Sequence, residues 1–359
     1  EPFPGASGVS HPLLAESVTQ FQAQSYKELF PAGGPVKTQI MGATNPQVEA
    51  QSKRVRQFMN YQLTHIMEEY EPELDQMLFH LPLSGSAFRK IYFDDKLGRP
   101  VSKFVSSEDL VVPYDSTDLM TCMRITHVIK MPANDVRKYQ ASGFYRDMEL
   151  SEVYDNENDE VQDKIDELDG AKRVYTKDNI HTILEMHVDL DLPGYEDANE
   201  AGENSGISLP YIVSIDENSS KILSIRRNYE EQDALKNKKQ YFVHYKFLPG
   251  LGFYGFGLIH MLGGLSKSAT SILRQLIDAG TLANLPSGFK ARGLRIRDDD
   301  QPLVPGEFRD VDAPAGEISS SLVPLPYKEP SGTLFQLLGF VIESGKSFAA
   351  VADMKLGEG

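Results

Sequence analysis

The chain has 359 residues, 40% hydrophobic and 25% charged, with Gly 28 and Pro 21. That balance excludes collagen-like, wholly disordered and disulfide-scaffold classes, and at ~100 to 200 residues per domain the length allows two or three folding units. Lys+Arg 36 against Asp+Glu 52 leaves a net charge of −16, so the surface offers no general attraction for a polyphosphate backbone, and any nucleic-acid contact must be local or weak. The single cysteine, Cys122, cannot close an internal disulfide and excludes a C-x-x-C site; it reads as a small apolar filler in a reducing interior. No long apolar run is present, so a soluble protein without a membrane partner is expected. The start lacks Met and a targeting pattern, and the end, Lys355 to Gly359, is glycine-rich straight after a helical pattern. Both ends read as cuts in a longer chain.

Ser10-His11-Pro12 followed by Leu13, Leu14, Val18, Phe21 and Tyr26 predicts a capped helix that stops before Pro31. From Asn45-Pro46, the residues Val55, Phe58, Met59, Leu63, Ile66, Met67 and Tyr70, then Leu74, Met77, Leu78 and Leu81, predict one long amphipathic helix bent near Pro72, its Met and aromatic stripe in the core. His65 and His80 read as helix-surface or core-edge residues. Phe88 to Phe93 and Val101 to Val105 around Asp94 to Gly98 predict a β-hairpin. Short strands at Leu110 to Val112 and Ile125 to Met131 follow, then a helix over 132–142. Between Ser151 and Gly170 stand nine carboxylates and one lysine, Lys164; Glu160 occupies the position where a calcium loop needs glycine, so a solvated charged face is expected.

Ile180 to Leu192 alternates, with His181, Glu185, His187, Asp189 and Asp191 on one face. The pattern predicts a half-buried strand whose polar face carries structural or exposed histidines. Tyr211 to Ile215, Ile222 to Ile225 and Tyr241 to Phe247 read as an antiparallel meander, making residues 1 to about 250 one α+β body. Leu258 to Ile277 follow helical spacing, some forty Pro- and Gly-bearing residues come next, and a second helix runs from Thr333 to about Ala352. The order is helix, small β-like insert, helix.

Two glycine motifs bear on function. Gly250-Leu251-Gly252-Phe253-Tyr254-Gly255 matches G-x-G-x-x-G between a strand and a helix, but the strand belongs to an antiparallel meander and Asp278 lies inside a helical pattern, so a strand-to-helix elbow is the better reading than a dinucleotide site. Gly339 to Ser347 resembles a P-loop, but Phe340 stands where the first glycine belongs and Glu343 faces where phosphates would sit. No nucleophile elbow, metal set or chosen carboxylate pair emerges. The basic cluster Lys290, Arg292, Arg295 and Arg297 reads either as a charge-guarded strand edge or as a docking surface.

Several phrases carry a resemblance: Phe79 to Lys90 (FHLPLSGSAFRK), Asp109 to Tyr114 (DLVVPY), Arg124 to His127 (RITH), Val136 to Lys138 with Gly143 to Asp147, and Phe253-Tyr254-Gly255 through Asn284 to Gly288 (NLPSG). In these and in element order the chain resembles the portal, or head-to-tail connector, proteins of tailed bacteriophages. The resemblance implies a portal fold: an α/β wing over 1–254, a first stem helix over 255–286, a small α/β clip over 287–330, a second stem helix over 331–352 and the start of a tunnel loop over 353–359, with the C-terminal part of the wing and the crown absent. It implies a structural, non-enzymatic role without cofactors. That role is a homo-oligomeric ring, usually a dodecamer, at one capsid vertex of the virion, in contact with the major capsid protein and carrying double-stranded DNA during packaging and ejection. Lys267, Arg274, Lys346 and Lys355 are then candidates for isolated DNA contacts in the channel, where a mostly acidic wall avoids trapping the duplex. Lys290, Arg292, Arg295 and Arg297 become candidates for docking the terminase large subunit and later the tail adaptor, or head completion protein. The competing expectations are a nucleotide-binding enzyme using Gly250 to Gly255 and a monomeric α+β interaction domain; a nucleotide-dependent rise in melting temperature separates the first from a portal.

Overall fold

A computed structural model describes residues 6–94, 97–150, 180–198, 204–284, 288–290, 295–296, 311–312, 322–324 and 328–354. The chain divides into two units, 1–20 with 258–359, and 21–257. Whereas the sequence reading placed residues 1 to about 250 in one α+β body, the first twenty residues therefore group with 258–359. They are tied to the long helices: Ser7 N donates to Asp278 Oδ1 at 2.8 Å and His11 N to Thr270 Oγ1 at 3.0 Å. Helix α1, Leu13–Leu29, starts in the first unit and ends in the second.

Unit 21–257 contains α2 (Pro46–Tyr61), a π-helical turn (Gln62–Ile66) and α3 (Tyr70–Ser84). The predicted single helix is thus broken, at Met67 and not at Pro72. Met67 N bonds Gln62 O at 2.8 Å, one residue wider than an α-turn, and Met67 then leaves helical geometry at φ −96, ψ 75. Pro72 sits in the first turn of α3, where its missing N–H has no partner to lose. Two carboxylates just after the break reach the neighbouring strand. Glu69 binds Arg99 at 2.8 Å, and Glu73 Oε2 accepts Phe104 N at 2.6 Å, so α3 is fastened to a strand edge.

That strand is β2 (Arg99–Val105), paired with β1 (Ser86–Asp94), which pairs on its other side with β8 (Phe242–Lys246), giving the antiparallel order β2-β1-β8. A second antiparallel sheet has the order β3-β4-β5-β6-β7, from Leu110–Val111, Arg124–Pro132, Ile180–Leu190, Leu209–Asp216 and Lys221–Arg227. The meander reading holds for β6 and β7 and fails for β8, which crosses to the hairpin. Alternation along β1 gives the smaller sheet two covered faces. Ala87 joins Leu74, Met77, Leu78 and Leu81 of α3, while Phe88 packs with Val105, Leu110, Ile125, Phe242 and Phe253. Each fully buried Leu or Phe of this kind is worth about 1.5 to 3 kcal/mol. Cys122 is a buried filler in the latter cluster. Helix α4, Ala133–Ala141, covers Ile183 and Leu223 of the larger sheet with Val136.

In the other unit, α5 (Leu258–Asn284) and α6 (Gly332–Met354) pack through Ala269, Ile272, Leu338 and Val341. A Cβ placed on Gly280 would stand 3.7 Å from Pro330, two residues before α6, so the helices run antiparallel. Between them β9 (Gly288–Lys290) pairs with β12 (Leu322–Pro324), and β10 (Arg295–Ile296) with β11 (Val311–Asp312), all antiparallel. The ladders are nested, which brings the two helix ends together. The architecture is α+β.

Candidate functional site

The cations singled out in the sequence fall on different supports. Lys267 is exposed on α5. Arg274, seven residues on and therefore on the same face, turns back on its own chain: Nε donates to Val9 O at 2.7 Å and Nη2 to Gly8 O at 3.1 Å. Lys346 on α6 pairs with Glu16 at 3.0 Å. Two of the three described candidates thus anchor the N-terminal segment to the helix pair. Arg274→Ala should cost about 1 kcal/mol at this partly exposed site, seen as roughly five-fold faster hydrogen exchange of amides 7–13 with α3 and β1 unchanged. Lys290 and Arg295 lie in β9 and β10; Arg292, Arg297, Lys355 and the acidic stretch from Ser151 to Gly170 lie outside the described residues.

The glycines of the G-x-G-x-x-G elbow meet backbone. A Cβ on Gly250 would lie 1.9 Å from Tyr254 O, and one on Gly255 2.4 Å from Gly85 O and 2.7 Å from Leu248 O. Only Gly252 faces open space. Gly255 N, an amide a phosphate would use, donates instead to Ser86 Oγ at 2.8 Å, and Leu248 and Phe256 exchange backbone bonds. The spacing answers a packing requirement between the elbow and the end of α3. The strand leading into it, β8, is antiparallel to β1, unlike a dinucleotide fold. Gly339 to Ser347 is helical throughout within α6, and Gly345 leaves room for Leu13, whose side chain would meet a Cβ there at 2.6 Å.

The largest departure from the sequence reading concerns β5. From 181 to 187 its polar face is the more deeply buried of two covered faces: His181, Glu185 and His187 are 5%, 9% and 2% exposed, alongside Ile183 at 0%, while Met186, Val188 and Leu190 on the other face pack against Leu209, Tyr211 and Val213. The face tolerates burial because each polar group is partnered. His181 Nδ1 stands 3.1 Å from Asp216 Oδ1. Glu185 Oε1 takes Lys90 Nζ from β1 at 2.6 Å and His187 Nε2 at 2.9 Å, the latter a donor because a carboxylate can only accept. His127, directly opposite Glu185 in register, lies edge-on to Phe242 with Nδ1 unpaired. Burial alone would raise the Glu185 carboxyl, but the Lys90 ammonium and the His187 bond together hold it far below the usual carboxylate range. Burial first, then Lys90, pushes His127 down to about 4. Burial also lowers His187, against the pull of Glu185. A carboxylate, an ammonium and two neutral imidazoles make a buried electrostatic clasp between the sheets, and among the described residues no group of three His, Cys, Asp or Glu is placed to hold a metal ion.

Several large apolar side chains are exposed together on α6 and on α2. On α6 the buried stripe is Leu334, Leu338, Val341 and Ile342, yet Phe335, Leu337, Phe340 and Phe348 are 69%, 45%, 68% and 49% exposed. At about 100° per residue, Phe335 flanks that stripe on one side and Leu337 and Phe348 on the other, with Phe340 towards the far face. On α2 no residue is buried, which reverses the prediction of a core stripe there. No described helix is long and apolar enough to cross a membrane. No protein-family model matches the chain, and no curated protein matches it.

Proposed function

We propose that the chain is the subunit of a phage portal ring: a structural channel for DNA packaging and ejection at one capsid vertex, on which the terminase and then the tail adaptor dock. One observation carries this reading, the apolar exposure on both flanks of α6. A helix with one exposed apolar flank suits a two-fold dimer, whereas two different flanks suit heterologous contacts that pass from copy to copy and close as a ring. The antiparallel helix pair closed by nested ladders supports a stem ending in a clip, in line with the sequence phrases. The net charge of −16 supports a channel that does not trap DNA, since affinity for the duplex grows with each phosphate a protein neutralises.

Electron microscopy of the purified protein tests the reading. Expected are end-on averages of about twelve subunits around a hole of about 20 Å or more, enough for a duplex. Phe335→Asp and Phe348→Asp, on opposite flanks, should each abolish rings while leaving the fold intact. A chain that stays monomeric at high concentration, or rings indifferent to both substitutions, would count against the reading.

A further inference from the structure

Helix α2 is well made locally and poorly supported by its own chain. Asn45 caps it by accepting Val48 N at 2.8 Å, and Pro46 begins it. Its side-chain ties are polar and reach a short preceding segment: Asn60 bonds both Val36 N and Val36 O, at 2.9 and 3.2 Å, and Ser52 bonds Thr38 at 2.8 Å. Val55, Phe58 and Met59, which share a face, are 43%, 61% and 42% exposed. A 16-residue helix is marginal by itself in water, and most helical stability comes from packing an apolar face. Arg54 and Arg56 fall at about 100° on either side of Val55 and so rim this stripe with positive charge.

The same unit carries a surface of the opposite kind. In the loop between β3 and β4, Tyr114, Met120 and Met123 are 105%, 72% and 74% exposed, and Val111 beside them is 48% exposed. Asp115 and Asp118 lie among these residues, both exposed. Asp118 is held ionised, its carboxyl lowered chiefly by the hydrogen bond from Thr121 N at 2.8 Å. Methionine-rich patches adapt to the partner they meet.

We propose that the α2 stripe of one copy docks on the loop of residues 111–123 of a second copy, Arg54 and Arg56 facing Asp115 and Asp118. Charge complementarity selects this occupant. The chain's own loop, with Asp115 and Asp118 around Tyr114, Met120 and Met123, offers the apolar centre and negative rim that α2 lacks. Size points the same way. A helix about 24 Å long showing one face falls well short of the ~800 Å² per partner of a stable pair, so α2 serves as one contact within a larger assembly. Donor and acceptor differ, which makes the contact heterologous. The proposal rests on the ring reading and adds to it which surfaces of the 21–257 unit meet.

The test is photo-cross-linking with Phe58→p-benzoylphenylalanine in an equal mixture of 14N- and 15N-labelled chains. Mixed-isotope cross-links ending in residues 111–123 are expected, reduced at least five-fold by Arg54→Asp with Arg56→Asp and restored when Asp115→Arg and Asp118→Arg are added. All four positions are solvent-facing, and circular dichroism checks that each variant folds. A ring whose Phe58 cross-links end elsewhere, within the labelled chain, or in added phosphatidylserine vesicles overturns the docking and leaves the ring standing. A chain that stays monomeric overturns both.

Discussion

Lys90→Ala should remove about 3 to 5 kcal/mol from the unfolding free energy of the 21–257 unit, because it strands the Glu185 carboxylate inside the junction between the two sheets. Lys90 and Glu185 side chains are only 12% and 11% exposed, so solvent screening is slight. The expected signature is the contrast between single and double variants. Glu185→Leu alone leaves Lys90 and His187 unpaired and should cost a similar amount. Lys90→Met with Glu185→Leu removes both charges, keeps the volume, and should recover more than half of either loss. Urea unfolding read by tyrosine fluorescence measures all three, and a Lys90→Ala loss below about 1 kcal/mol would show that the junction is wet.

Acid should weaken the same junction. The His127 imidazole titrates near 4 in the folded chain and near its ordinary 6.5 when unfolded. The unfolded chain therefore binds more protons between those values, and stability falls as pH drops from 6.5 to 4, by up to about 3 kcal/mol for this group. His187, lowered for the same first reason, adds in the same direction. Glu185 also acts in that sense, because its depressed carboxyl favours the folded state above its ordinary value and loses that advantage as pH falls further. His127→Phe should flatten the slope between pH 6.5 and 4, since it removes the proton uptake and retains the edge-on contact with Phe242. An unchanged slope would place the acid sensitivity elsewhere.

The sequence made the periodic elements legible and left their surroundings hidden. The hairpin of β1 and β2, the strands β4 and β5 and the long helices α5 and α6 follow from spacing that a single segment carries. What failed depended on a second segment. In β5 both alternating sets could have faced the core: one holds Thr182, Leu184, Met186 and Val188, the other Ile183 among His181, Glu185 and His187. Hydropathy favours burying the first. Both sets are covered, the first by Leu209, Tyr211 and Val213, and Lys90, which lies 95 positions away and offsets the charge of Glu185, is what admits the second. The crossing of β8 to β1 was equally invisible, because strand pattern specifies a face and not a neighbour. On α2 the periodicity correctly announced an amphipathic helix, but amphipathicity states only that a face needs cover. The antiparallel context marks the elbow as a turn, but Gly250 and Gly255 acquire their reason only where Gly250 meets Tyr254 and the segment from Gly255 to Gly257 meets Gly85.

That meeting should make Gly85→Ala and Gly257→Ala among the most damaging single-methyl substitutions in the chain. Gly85 ends α3 at φ +89, a conformation costing an L-residue about 1 to 2 kcal/mol, and its Cβ would stand 2.3 Å from Gly257 N and 2.4 Å from Phe256 C. A Cβ on Gly257 would lie 2.4 Å from Leu83 O and 2.5 Å from Gly85 N. These atoms are backbone on both sides and cannot step aside as a side-chain tip would, so each substitution should cost about 3 kcal/mol or more, at the upper end of overpacking. Gly252→Ala, with nothing within 4 Å, should stay within about 0.5 kcal/mol of the parent. The ranking separates two uses of one motif. In a dinucleotide loop the second glycine is where pyrophosphate approaches, so Gly252→Ala would abolish nucleotide protection in a thermal melt and Gly85 would be a bystander. Packing predicts the reverse order of damage and no nucleotide protection in the parent. It also predicts that Gly85→Ala and Gly257→Ala together cost less than their sum, because the first Cβ forces open the crossing that the second would have to enter.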